Sequence, residues 1–227
     1  MIEETVEFSS EGLQLEGVLS YKEDLRCDRK VLLCPPHPNL GGNMDNNVIL
    51  ALARMQAENG FVTMRFNYRG VGKSQSHYKD FAENYKYWET TFGDGNLEGP
   101  LNDTKAALEF IKSTATEDSP RVFVVGYSLG AVMGMKIGVN EDSVKALVGI
   151  ATPFGAYNFD FLEAYKRPKL FICSDNDFAT KVEDTKVSTK KLSEPKELII
   201  KTNTSHFYFG IEQELCQDVL RFLQQQP

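Results

Sequence analysis

Apolar runs of strand length alternate with amphipathic stretches along most of the chain. Two segments of alternating apolar and polar residues come first, TVEFSS and LQLEGVLSY, and the Glu11-Gly12 pair between them predicts an antiparallel hairpin. Continuous apolar runs then alternate with helical patterns: KVLLCPP, residues 48–59, FVTMRFNY, residues 101–113, RVFVVG, residues 129–139, VKALVGIA, a short helical piece near Phe161, PKLFICS, residues 181–192, KELIIKT and residues 213–222. This alternation predicts an α/β fold with a mostly parallel central sheet and helices on both faces.

One segment breaks the alternation. About thirty residues separate the strand ending near Tyr68 from the helix beginning near Leu101, where a connection of about two to six residues is usual. Aromatic residues occur in it at alternating spacings of three and four, which predicts one continuous stripe on a helix: Tyr78, Phe81, Tyr85, Trp88 and Phe92. We therefore expect a helical insertion at about residues 75–100. Two roles stay open for it, a lid over an apolar pocket or a surface packed on the domain or on a partner subunit.

Composition and charge narrow the class of protein. A chain of 227 residues with 41% hydrophobic and 25% charged residues is predicted to form a single domain, residues 1–227, with a sizeable core. Its net charge of -7 opposes binding to nucleic acid or to anionic membranes and favours a small neutral or apolar ligand. The acidic start is not a secretory signal, and the longest apolar region, residues 122–135, is too short to span a bilayer. We therefore expect a cytoplasmic protein, either a monomer or a homodimer.

Neither a metal nor a cofactor is predicted. Cys27, Cys34, Cys173 and Cys216 lack C-x-x-C spacing, so they are expected to be reduced and mostly buried thiols rather than zinc ligands. The RGVGKS segment, residues 69–74, lacks the glycine spacing of a phosphate loop or a dinucleotide loop. Its glycines are expected to form a turn at the end of a strand.

The segment GYSLG, residues 126–130, matches G-x-S-x-G between a predicted strand and a predicted helix. This context holds a serine in a tight, strained turn, and small flanking residues are needed there. Ser128 would lie at the N-terminus of a helix, where backbone N–H groups favour a developing oxyanion. We predict that Ser128 is a nucleophile, the alternative being a serine in an ordinary glycine-rich turn.

A nucleophilic serine needs a base and a group that orients the base. The chain has three histidines, His37, His77 and His206, and the order serine, acid, histidine of this type of fold leaves only His206 after Ser128. The orienting acid should end the preceding strand, where LFICSDNDF offers Asp175 and Asp177. Asp177 is preferred, partly because of the family resemblance described next, and Asp175 would then be a turn residue. An ordinary loop histidine is the alternative for His206.

These segments together resemble the α/β-hydrolase superfamily: GYSLGA, MRFNYRGVGKSQ, SDNDF and SHFYFG, in this order. The segment LLCPPHPNLGGNMDNNVI is similar to the H-P-H-P-x-x-G-G segment of small bacterial serine esterases and hydrolases of unassigned substrate. The resemblance implies Ser128 as nucleophile, Asp177 as acid and His206 as base. It also implies an oxyanion donor in the loop of residues 35–42, where Pro35 replaces the first histidine of the family segment.

Prolines narrow the choice of that donor, because proline has no N–H. The backbone N–H of His37 is the expected donor in the loop, and the N–H of Leu129 is the other. We therefore predict a serine hydrolase of carboxylesterase type that cleaves an ester-like bond of a small apolar or aromatic substrate. The predicted substrate contacts are Tyr127, Trp88, Tyr85, Phe154 and Phe178.

Two other functions stay open. A thioesterase or acyltransferase would use the same three residues, and matched oxygen and sulfur esters distinguish these activities. A protein that keeps the fold but only binds a ligand is the alternative from a different class.

Overall fold

Within residues 1–23, 29–93, 95–114 and 120–226, which the computed structural model describes, eight strands form one sheet. The strands are β1 (Ile2–Ser10), β2 (Leu13–Tyr21), β3 (Arg29–Cys34), β4 (Val62–Phe66), β5 (Arg121–Tyr127), β6 (Val144–Ile150), β7 (Lys169–Asn176) and β8 (Lys196–Ser205). Their spatial order is β1-β2-β4-β3-β5-β6-β7-β8. The β1-β2 and β2-β4 pairs are antiparallel and the other pairs are parallel. The predicted α/β-hydrolase fold is confirmed.

The first two strands form the predicted hairpin. Ser10 pairs with Leu13 across a turn of two residues, and Glu11 and Gly12 both have positive φ, 49° and 82°. Two positive φ angles are typical of the tight hairpin turns that follow the right-handed twist of paired strands. The EG pair is therefore the turn of this hairpin.

Helices cover both faces of the sheet. The six α-helices of the described residues are α1 (Asn47–Glu58), α2 (Phe81–Glu89), α3 (Glu98–Ser113), α4 (Leu129–Gly138), α5 (Val182–Lys191) and α6 (Glu212–Gln224), and short 3-10 turns lie at Pro38–Leu40 and Asp160–Leu162. Alternate residues of β3 show the two layers: Leu32 packs in one core with α3 and α4, and Val31 and Leu33 pack in another with α1 and α6. This period of two buries both faces of a parallel strand.

The prediction of one continuous aromatic stripe in the insertion is wrong. The helix α2 covers only Phe81–Glu89, because the Asp80 side chain caps its start by accepting from Glu83 N and the chain leaves the helix at Thr90. Tyr78 and Phe92 therefore lie outside it. The buried residues of α2 are Tyr87 and Trp88, whereas Phe81 is 82% exposed.

Three of the four cysteines bear out the expectation of reduced, buried thiols: Cys34, Cys173 and Cys216 are free and buried. Cys27 lies outside the described residues. Among the helices that the structure describes, none combines the length and the apolar character needed to cross a bilayer.

Candidate active site

Ser128 lies in a tight turn between β5 and α4. Its backbone has φ 56° and ψ -118°, a region that costs a non-glycine residue about 1–3 kcal/mol. The turn is held by Ser128 N, which donates to Ile150 O over 2.8 Å. A Cβ at Gly126 would overlap the backbone of Gly130, and a Cβ at Gly130 would overlap Cys34 O. Glycine is therefore required on both sides of the strained serine.

The carboxyl ends of three strands bring the predicted residues to one edge of the sheet. Ser128 follows β5, Asp177 follows β7 and His206 follows β8, and strands β5 to β8 are consecutive and parallel in the sheet. Ligand sites of open α/β sheets lie beyond this edge. The strand order therefore brings together three residues that are far apart in the sequence.

Asp177 and His206 are in direct contact. His206 Nδ1 lies 2.8 Å from Asp177 Oδ2 and 2.9 Å from Oδ1, and the Asp177 side chain has no exposed surface. Asp177 Oδ1 also accepts from the N–H groups of Ala179 and Thr180. The other candidate acid, Asp175, instead accepts from Asn203 N over 3.0 Å. Only Asp177 of the two candidates orients the histidine.

The contact with Asp177 occupies one ring nitrogen of His206. Within the described part of the chain, neither His206 Nε2 nor Ser128 Oγ takes part in a hydrogen bond. The backbone of the histidine is tied to the turn of the serine, because Tyr127 Oη donates to His206 O over 2.6 Å. Asn47 Nδ2 donates to Phe207 O over 3.0 Å and holds the same loop from α1. The histidine is thus positioned from both sides.

His37 makes a different set of contacts. Its Nδ1 accepts from Asn39 N over 3.1 Å, and its Nε2 lies 2.9 Å from Thr91 Oγ1 and 3.1 Å from Trp88 O. The Phe92 ring stacks on the imidazole with centroids 4.1 Å apart. Burial lowers the pKa of His37 to about 4, so the ring is neutral near pH 7. The imidazole therefore ties the loop after β3 to the insertion.

The two backbone N–H groups predicted as oxyanion donors are placed at the start of structural elements. Leu129 is the first residue of α4, so its N–H has no intrahelical acceptor. His37 precedes the 3-10 turn Pro38–Leu40, and its N–H donates to no acceptor within the described residues. Neither N–H group therefore has a backbone acceptor among the described residues.

Among the described residues, no three His, Cys, Asp or Glu side chains lie close enough together to hold a metal ion.

A sequence model of the dienelactone hydrolase family matches residues 37–208, which is well over half of the chain. The chain belongs to the dienelactone hydrolase family. An α/β serine hydrolase homologue from Coxiella burnetii is 29% identical with a TM-score of 0.81, and the match covers 97% of each chain. A putative α/β hydrolase of unknown function from Agrobacterium tumefaciens is 25% identical with a TM-score of 0.81, covering 98% of this chain and 95% of the other.

An uncharacterized protein from Rickettsia prowazekii is 26% identical over 200 residues, which are 85% of this chain and 77% of the other. The expectation of an α/β-hydrolase superfamily member is confirmed by the family match and by the structural neighbours. Family membership and the likeness to a serine hydrolase homologue support hydrolase activity on ester-like bonds.

The side chains predicted as substrate contacts of this dienelactone hydrolase family member differ in exposure. Trp88 and Tyr127 are fully buried, and Phe154 is 9% exposed and packs on Phe159 and Phe171. Tyr85 is 41% exposed and Phe178 is 64% exposed. Burial leaves Trp88 and Tyr127 no surface to offer a substrate, so we reassign them: Trp88 is a core residue, and Tyr127 positions His206.

Three features of the site escaped sequence reasoning. Asn47 and Thr91 contribute polar contacts, to Phe207 O and to His37, that no periodic pattern marks. The ring of Phe207 contacts those of His206 and Phe178, and the ring of Phe209 stacks on that of Phe207. Their signal was visible in SHFYFG, where aromatic residues follow the predicted base directly.

Proposed function

We propose that this member of the dienelactone hydrolase family is a serine hydrolase that cleaves a carboxylic ester of a small apolar or aromatic compound through an acyl-enzyme. Ser128 is the nucleophile, His206 the base and Asp177 the group that orients the base. The observation that carries the proposal is the buried Asp177–His206 contact at 2.8 Å. It leaves Nε2 as the only unengaged ring nitrogen, on a histidine whose backbone is held by Tyr127, the residue before Ser128.

In the proposed reaction, Ser128 Oγ attacks the ester carbonyl while its proton passes to His206 Nε2. The negative charge that develops on the carbonyl oxygen is stabilised by the N–H groups of Leu129 and His37. The tetrahedral adduct collapses, the proton moves from Nε2 to the departing alkoxide oxygen, and the alcohol leaves. Water then attacks the acyl-enzyme with the same base, which releases the carboxylic acid and returns the proton to Ser128.

Asp177 supports both proton transfers. Its carboxylate accepts from Nδ1–H and so fixes the tautomer that leaves Nε2 unprotonated, and its negative charge stabilises the imidazolium that forms in each step. Asp177 Oδ1 also accepts hydrogen bonds from two backbone N–H groups, and these bonds fix the orientation of the carboxylate. No bound metal or organic cofactor is required for these steps.

A fluorophosphonate probe tests the proposal, because it reacts covalently with an activated serine. We expect labelling of the wild type, loss of labelling in Ser128→Ala, and unchanged labelling in Ser113→Ala, which removes an exposed serine at the end of α3. Unlabelled wild type, or full labelling of Ser128→Ala, would contradict the proposed function.

A further inference from the structure

Three phenylalanine rings form a row beside His206, here called the aromatic shelf: Phe178 and Phe209, which are exposed, and Phe207 between them, which is half-buried. The ring of Phe178 lies 4.8 Å from that of His206, and the ring of Phe207 lies 5.8 Å from that of Phe178. Phe209 stacks on Phe207 with centroids 5.7 Å apart and planes at 24°. Phe178 and Phe209 are 64% and 68% exposed. Exposed apolar side chains grouped in one patch are typical of a ligand-binding surface.

The backbone under the aromatic shelf is anchored. Phe178 lies inside the turn in which Asp177 accepts from Ala179 N and Thr180 N. Between Phe207 and Phe209, Tyr208 has a φ of 52° and is fully buried, with its hydroxyl donating to Ile172 O over 3.3 Å. Little ordering of the backbone is then needed when a ligand covers the rings.

In the proposed reaction, the leaving group and the carbonyl oxygen of the substrate contact different residues around Ser128. His206 Nε2 returns its proton to the leaving-group oxygen, so the leaving group must lie on the side of the imidazole. The carbonyl oxygen must lie against the N–H groups of Leu129 and His37. Phe178 and Phe207 of the aromatic shelf contact the imidazole of His206, whereas the ring stacked on His37 is that of Phe92.

Two exposed aromatic rings of the insertion make other contacts. The ring of Phe92 is stacked on His37 at 4.1 Å, and that of Phe81 contacts Tyr85 at 6.1 Å. Neither ring is among those in contact with His206, which are Tyr127, Phe178 and Phe207. The two aromatic regions near the site are therefore distinct.

We propose that the aromatic shelf binds the alcohol half of the ester, and that the preferred substrates are esters of neutral aromatic alcohols. This inference rests on the proposed function. Flat aromatic groups stack favourably on exposed aromatic rings. Beyond the shelf, Phe209 borders a surface cavity of about 590 Å³ lined also by Asp175, Asn203 and Thr204. The carboxylate of Asp175 opposes an anionic substituent there.

Acetate esters of alcohols with similar intrinsic reactivity test the inference: ethyl, benzyl and 2-naphthylmethyl acetate. In the wild type, kcat/KM is expected to rise along this series. The measured quantity is the ratio of kcat/KM for the naphthylmethyl ester to kcat/KM for the ethyl ester. We expect this ratio to fall about fivefold in Phe209→Ala and at least tenfold in the double variant Phe178→Ala/Phe209→Ala. Phe209→Tyr keeps the ring and should retain the ratio, and Phe81→Ala should leave it unchanged.

A second series separates the two halves of the substrate. With ethyl acetate, ethyl butyrate and ethyl benzoate, the alcohol is constant, so the variants of the shelf should not change the relative kcat/KM values. Equal losses for all esters would show a structural effect on His206, and a change confined to the acyl series would place the shelf on the acyl side. Either outcome overturns the inference.

The fluorophosphonate probe distinguishes the failure of the inference from that of the proposed function. If the wild type is labelled at Ser128 and hydrolyses ethyl acetate, but the variants retain the naphthylmethyl-to-ethyl ratio, only the inference is wrong. If the wild type is neither labelled nor active on any ester, the proposed function fails and the inference fails with it.

Discussion

His37 and His206 are almost equally buried, with 2% and 3% of their surface exposed, yet their surroundings differ. Both follow parallel strands, β3 and β8, at the same edge of the sheet. Both ring nitrogens of His37 are engaged by uncharged groups, Asn39 N on one side and Thr91 Oγ1 on the other. One ring nitrogen of His206 contacts a carboxylate, and the other has no hydrogen-bond partner in the part of the chain that the structure describes. Burial alone therefore does not distinguish a structural histidine from a candidate base.

The charge of the partners explains the difference. No carboxylate contacts the His37 ring within the described residues, so burial lowers its pKa and keeps it neutral. His206 instead has the carboxylate of Asp177 against its Nδ1, the arrangement that orients a general base in acyl transfer. Histidine thus suits a structural role in the loop after β3, where His37 holds the insertion, and the proposed role of base in the loop after β8.

The sharpest test of this comparison replaces each histidine by glutamine. We expect His206→Gln to lower kcat/KM for ester hydrolysis by about 10⁴-fold or more, because the general base is removed. His37→Gln keeps the backbone N–H proposed as an oxyanion donor, so a loss below about tenfold is expected. Steady-state kinetics on ethyl acetate measure both. Similar losses in the two variants would remove the functional distinction between the histidines.

Replacing the acid is expected to have the next largest effect. Asp177→Asn preserves the shape of the side chain but favours the wrong tautomer of His206, so kcat/KM should fall by about 10³–10⁴-fold. Asp175→Asn is the matched control, because Asp175 contacts Asn203 N and Thr204 N rather than the histidine. A change of less than about threefold is expected for the control. If Asp175→Asn impairs hydrolysis as strongly as Asp177→Asn, the assignment of the acid is wrong.

The structural role assigned to His37 predicts a pH dependence of the free energy of unfolding. The pKa of His37 is about 4 in the folded chain, against an ordinary value of 6.5. At pH values between about 4 and 6.5, the unfolded chain therefore binds a proton at this histidine that the folded chain does not bind. The stability that neutral His37 contributes should therefore decline as the pH falls from about 6.5 to about 4, by about 2–3 kcal/mol.

Urea unfolding at pH 7.5 and pH 5 measures this effect as a difference between the wild type and His37→Gln. The glutamine variant is expected to be less stable at pH 7.5, and the gap should narrow at pH 5 because only the wild type carries the histidine. A gap that stays constant, or that widens at pH 5, would contradict the burial of a neutral imidazole.

The smallest expected effect comes from the hydroxyl of Tyr127. Tyr127→Phe removes the hydrogen bond to His206 O and should cost about 1 kcal/mol of stability and lower kcat/KM by about fivefold. Tyr165→Phe is the control, since the buried Tyr165 hydroxyl has no hydrogen-bond partner among the described residues. The control should be neutral or slightly stabilised. Equal effects in both variants would show that the contact with His206 O does not position the histidine.

The insertion shows where sequence reasoning reaches its limit. Spacings of three and four correctly indicated a helix, but they do not distinguish aromatic residues that enter the core from those that remain outside. Trp88 is buried among Tyr68 and Tyr87, and its carbonyl accepts from His37, 51 residues earlier in the chain. Deleting residues 78–92 would therefore remove part of the core, and point variants such as Phe81→Ala are the cleaner test of a lid.

The sequence by itself determined the hairpin, the alternation of strands and helices, and the glycine turn around Ser128, because each depends on neighbours within one element. It also limited the candidate base to His206, the one histidine after the serine, and the candidate acid to the two aspartates at the end of a predicted strand. Tertiary structure decided which aspartate contacts His206, what the His37 ring binds and which aromatic rings are exposed. These depend on strand order and on packing between distant segments, and no local pattern records them.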